Sequence, residues 1–276
     1  MSDECVACFS AASISRDDIP LQFDDVAFDQ VRDLVKNFTT EMIELSSVGQ
    51  VDECKYVQPR SYDLFREVSG IALSKYVQNI SIQNKGTKHE ATKYATTLHT
   101  VEGNIFNISG ETDSTMMYNE VPIMTWEDKV LNMDVGSVKL PKTFGQPLAE
   151  VKGMGEKFHT GVGVQAPKFC GVLTTGLLWT VSIRSYSNGQ VLYKRTEPIQ
   201  VWVDSRDDST TGTPTPDEDG LDIITSLLLT CLRSAEDLIN IIHRGNKEVF
   251  LRGADIYDWH DEDDDDDDGG GGDKGG

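Results

Sequence analysis

Positive charge is what this sequence has least of: 25 Lys and Arg stand against 46 Asp and Glu, a formal net charge of −21 at pH 7 over 276 residues. Phosphate contacts need clustered Lys and Arg, so the balance argues against a simple nucleic-acid binder. Part of the excess is local, since the last sixteen residues carry −8 and the rest −13. Long apolar runs are also missing. The longest, Leu221 to Leu232, is interrupted by Asp222 and closed by Arg233, too short and polar to span a bilayer, so no membrane partner is expected. The start, Met1-Ser-Asp-Glu-Cys5, has neither the basic nor the apolar region of a secretory signal. Cysteines are few and odd in number (Cys5, Cys8, Cys54, Cys170, Cys231), as expected of free thiols in a reducing compartment. The expected location is therefore cytoplasmic or nuclear. Cys5 and Cys8 have zinc-ligand spacing but no second pair follows them, and sequons at Asn37, Asn79 and Asn107 are expected to be silent.

What is present suffices for a core: 38% of residues are hydrophobic. The pattern divides the chain into a disordered start (1–20), a helical region (21–110), an α/β core closed by a C-terminal helix (111–250) and an acidic Asp/Gly tail (251–276). Val31, Leu34, Val35, Phe38 and Met42 recur at helical intervals, as do Leu64, Phe65, Val68, Ile71 and Val77 between Ser61 and Ile80. A third helix is expected over about 87–106. Residues 116–124 read as a strand that Pro122 would push to a sheet edge. Strands are expected at Val172–Thr174, Leu177–Arg184 and Glu197–Val203, with Asn188-Gly189 as a tight hairpin turn. Ser209 to Gly220 reads as a linker before a helix over Leu221–His243. Asp264, Asp266 and Asp268 sit at EF-hand intervals, but the position of the closing glutamate is Gly275, so that site fails.

The chemistry concentrates in Leu148-Ala149-Glu150-Val151-Lys152. Read as a strand, it sends Glu150 and Lys152 to one face, about 7 Å apart, and Ala149 and Val151 to the other. A carboxylate that holds a hard cation beside an ammonium that stabilises developing charge suits phosphodiester hydrolysis. Gly153, Gly155, Gly161 and Gly163 then read as a flexible loop around Lys157, Phe158 and His159. Asp134 stands upstream and Gln165 downstream; Asp128, in Trp126-Glu127-Asp128-Lys129, competes with Asp134.

From about Asp134 to Trp202 these residues resemble the PD-(D/E)xK, or restriction-endonuclease-like, superfamily, in its divergent eukaryotic branch. There an acidic residue on one strand precedes an E-x-K strand, and a helix carrying a Gln follows. The resemblance implies a central mixed sheet flanked by helices, and an Mg²⁺- or Mn²⁺-dependent nuclease. Asp134 and Glu150, with the Val151 carbonyl, would hold the metal, Lys152 would position water, and Gln165 would orient it. A further helix glutamate would come from Glu67, Glu90 or Glu102. Departures are the missing proline before Asp134 and the acidic body. A catalytically silent scaffold of this fold, binding protein or nucleic acid, is the alternative. Lys139, Lys142, Lys152, Lys157, Lys168 and Arg184 are candidates for a local basic rim, and the tail for contacts with basic proteins. Oligomeric state and DNA against RNA are not legible in the sequence.

Overall fold

The computed structural model describes residues 12–13, 24–50, 52–84, 92–99, 104–130, 140–204 and 214–244. Asp134, Glu90, Glu102, the acidic tail and nearly all of the proposed disordered start lie outside them.

Helix α1 (Asp25–Ser47) begins where the Asp24 carboxylate accepts a hydrogen bond from Val26 N at 3.0 Å, and it buries Val31, Val35, Phe38 and Met42. A π-helical turn, Glu53–Val57, leads into α2 (Gln58–Ala72), whose Pro59 occupies the first turn, where its missing N–H costs nothing. These are the two helices the apolar spacing predicts. The third expected helix is instead an antiparallel pair, β3 (Lys93–His99) and β4 (Ile105–Glu111). Exposure along β4 alternates residue by residue, the period of a half-covered strand. The region over 21–110 is thus helical only in its first part.

The main sheet runs in the order β1 (Ala12–Ser13), β9 (Gln190–Arg195), β8 (Leu178–Ser187), β7 (Lys168–Thr174), β6 (Val121–Asp128), β5 (Ser114–Tyr118), β2 (Ile80–Asn84), with β10 (Ile199–Gln200) also pairing β8. It is mixed. β6 and β7 are parallel because the chain crosses between them through α3 (Leu140–Val162), while the neighbouring strands from β2 to β9 are joined antiparallel. The Asn188-Gly189 turn forms as expected, with both residues at positive φ. The strand expected at 116–124 is two strands, reversed at Asn119 and Glu120 (φ 48° and 70°). Nor does Pro122 force an edge. The register shifts between Met116 and Met117, so that Met117 faces Pro122 and Met116 faces Met124; the bulge accommodates the proline inside a central strand.

Helices α1, α2 and α4 (Glu218–Arg244) cover one face of the sheet, and α3 covers the other with β3 and β4 laid over it. The first face is apolar: Trp126 and Trp179 meet edge to face at 5.4 Å, flanked by Phe65 on α2 and Phe38 on α1. Arg32 and Lys36 on α1 tie down the start of α4 through Glu218 and Asp222. No helix among the described residues is long and apolar enough to cross a membrane.

Candidate carboxylate site

The segment expected to be the E-x-K strand is helix. Val151, Met154 and Phe158 are fully buried at helical spacing, and two of the glycines expected to loosen a loop, Gly153 and Gly155, are sites of close packing, while Gly163 follows the helix end in open space. A Cβ on Gly153 would stand 3.1 Å from Tyr94 Cβ, and one on Gly155 would stand 2.6 Å from Arg184 Cδ. Residues two apart on a helix diverge by about 200°. Glu150 therefore points inward, 1% exposed, whereas Lys152 pairs with Glu156 and donates to Thr96 Oγ1 at 2.8 Å. Val151 packs its side chain where Gly171 passes. Gln165 is remote from Glu150 in role as well: its Oε1 accepts from Arg184 Nη2 at 2.9 Å. The expected constellation is thus not assembled by Glu150, Lys152 and Gln165, and Asp134 lies outside the described residues.

A different set converges. Asp113 immediately precedes β5, and the pairing of Ser114 with Trp126 sets it opposite Glu127 on β6. Each carboxylate accepts from the backbone beside the other: Asp113 N donates to Glu127 Oε2 at 3.2 Å, and Asp128 N to Asp113 Oδ2 at 3.0 Å. Lys129, two residues beyond Glu127, forms an ion pair with it and stands 3.9 Å from Asp113 Oδ2. From α3, Gln146 Nε2 donates to Glu127 Oε1 at 2.5 Å and to Glu150 Oε1 at 3.0 Å, joining the two glutamates. Glu53, in the π-helical turn, is close enough to act on Lys129; Glu67 instead lines an open groove between α1 and α2.

Burial sets the electrostatics. It pushes Glu127 up to about 7, with Asp113 adding and Lys129 opposing. Burial and the charge of Glu127 hold Glu150 well above the carboxylate range, and its Oε2 has no hydrogen-bond partner. Burial pulls the Lys129 ammonium down, but Glu127, Asp113 and Glu53 outweigh it and the net shift is upward. Asp128 belongs to the other face: fully buried, it accepts from Trp126 Nε1 at 3.1 Å and is raised well above the usual range by burial, the Ser61 hydroxyl opposing. Tyr94 on β3 closes the α3 side; burial and then Glu150 and Glu127 raise its phenol.

Asp113, Glu127, Lys129 and Gln146 were not singled out by sequence reasoning. The available signal was a second E-x-K, Glu127-Asp128-Lys129, between an upstream Asp113 and a downstream Gln146. Among the described residues no three His, Cys, Asp or Glu side chains are grouped to hold a metal ion. No protein-family model matches the chain, and no curated protein matches it significantly.

Proposed function

We propose that this protein is a metal-dependent nuclease of the PD-(D/E)xK type whose site is Asp113, Glu127, Lys129 and Gln146, with the functional E-x-K on β6. The observation that carries this reading is the cross-strand Asp113–Glu127 pair with Lys129 on the same face of the strand and Gln146 reaching in from the following helix. Acid, E-x-K strand and Gln-bearing helix come in the order that the superfamily uses.

The donors are all oxygen, which fits a hard divalent cation such as Mg²⁺ or Mn²⁺ better than a soft one. Asp113 and Glu127, with the Asp128 carbonyl, would hold it. When bound, such an ion lowers the pKa of water and withdraws charge from a phosphoryl oxygen. Lys129 supplies a fixed positive charge beside the carboxylates for the attacking water or the developing phosphate charge. Gln146 fixes the rotamer of Glu127 and leaves its own carbonyl available to orient water.

The test is cleavage of labelled single- and double-stranded DNA and RNA with Mg²⁺ or Mn²⁺, alongside Asp113→Asn, Glu127→Gln and Lys129→Ala. Loss of cutting in all three folded variants supports the reading, and cutting that survives Glu127→Gln sinks it. One observation favours a second reading, a catalytically silent scaffold of the same fold that binds protein or nucleic acid: Asp113 and Glu127 are 6% and 1% exposed, and Lys129 already neutralises Glu127. Absence of cutting with every substrate and both metals selects that reading.

A further inference from the structure

A second polar cluster sits at the far end of α3. Arg184 on β8 is 2% exposed; Nη2 is taken by Gln165, while Nε and Nη1 have no hydrogen-bond partner. The guanidinium lies along Gly155, where a Cβ would stand 2.9 Å from Nε, so the missing side chain is what admits an arginine between helix and sheet. His159 follows Gly155 by one helical turn on the same face, and its buried Nδ1 also lacks a partner.

Among the described residues no carboxylate pairs with Arg184; Glu156, the nearest acid along the helix, is occupied by Lys152 and Thr96. Tyr193 pairs with Arg184 across β8 and β9 and its hydroxyl lies within reach of the guanidinium; burial pushes the phenol up to about 12 against the pull of Arg184, so it stays neutral and brings no negative charge. A buried guanidinium without a counter-charge is among the costliest groups a fold can hold.

We propose that Arg184, His159 and Gln165 form a receptor for a phosphate-type oxyanion, entered from the loop between α3 and β7. The planar guanidinium offers several donors in fixed directions, which suits a tetrahedral oxyanion better than a point charge does. Gln165, half-buried beside the half-exposed Val164, marks the entrance, and Gly163, at φ +76°, turns the chain there. Phe169 opposes Arg184, whereas Leu173 lies beside Glu127; four residues along and two strands across separate the receptor from the carboxylate site by roughly 16 Å. The receptor is thus a distinct site and stands whether or not the nuclease reading holds.

Calorimetric titration of the full-length protein with inorganic phosphate, against sodium chloride at matched ionic strength, tests it. One saturable site is expected, weakened at least tenfold by Arg184→Met, which keeps the apolar stem, and by Gly155→Ala, whose methyl takes the guanidinium's space. Gln165→Leu should weaken it less. Saturable binding absent from the wild type, or an affinity unchanged in Arg184→Met, overturns the proposal. If Arg184→Met does not fold, an unchanged affinity in both Gly155→Ala and Gln165→Leu does so. Titration with a dinucleoside monophosphate separates the sources of the ligand: tighter binding than inorganic phosphate assigns a nucleic-acid backbone, and weaker binding assigns free phosphate.

Discussion

Glu127 and Asp128 are adjacent on β6 and equally buried, yet the strand turns them to opposite faces and into different chemistry. Glu127 looks toward α3 and meets Asp113, Lys129 and Gln146. Asp128 looks toward α2 and meets the Trp126 indole inside an aromatic layer. One face gathers charge with partners from four segments of chain. The other holds a single carboxyl whose surroundings favour its neutral form. Burial alone therefore says little about function; what separates the faces is whether a second carboxylate and a cation share the space.

The largest effect should come from breaking the charged face. Glu127→Gln or Asp113→Asn is expected to lower cleavage on the order of 10³-fold with the fold intact by circular dichroism. Asp128→Asn, one residue away, should leave cleavage within a few-fold; an equal loss there would collapse the comparison. On the aromatic face, Trp126→Ala should cost about 3–5 kcal/mol in urea unfolding, because the indole fills space between Phe65 and Trp179.

The pH dependence of stability sharpens the contrast. The folded value for Glu127, about 7, lies above its ordinary 4.5. Below pH 4 the group is protonated in both states; between 4.5 and 7 the unfolded chain releases a proton that the folded chain keeps. Stability should fall as pH rises across that window, by about 3 kcal/mol, and level off above it. Asp128 and Glu150, also raised, act in the same direction. Denaturation at pH 5 and pH 8 should show the fall in wild type and a smaller one in Glu127→Gln; identical slopes would remove Glu127 as its source. The smallest effect belongs to Lys152→Ala. Its partner Glu156 is partly exposed, so the loss should be under about 1 kcal/mol, with cleavage unchanged.

Much of the helical layer was legible in the sequence. α1, α2 and α4 each carry enough apolar residues at 3.6-residue spacing to announce one buried face. The Asn188-Gly189 turn was legible because few other residues accept positive φ at both positions. Residues 148–165 misled because an E-x-K beside four glycines fits strand and loop locally, whereas Gly153 and Gly155 are demanded by Tyr94 and Arg184, which arrive from elsewhere in the chain. Glu127-x-Lys129 was present but undistinguished from chance: its partners Asp113 and Gln146 lie 14 and 19 residues away, and only strand register and the α3 crossover bring them to it.

The sequence by itself determined the apolar periods, the acidic balance and the tight hairpin, since these depend on residues close together in the chain. The tertiary structure alone decided which of two E-x-K triplets shares a space with another carboxylate, and which arginine is left without a counter-charge. Those outcomes follow from strand pairing and helix packing, whose contacts join distant residues and leave no period in the sequence to read.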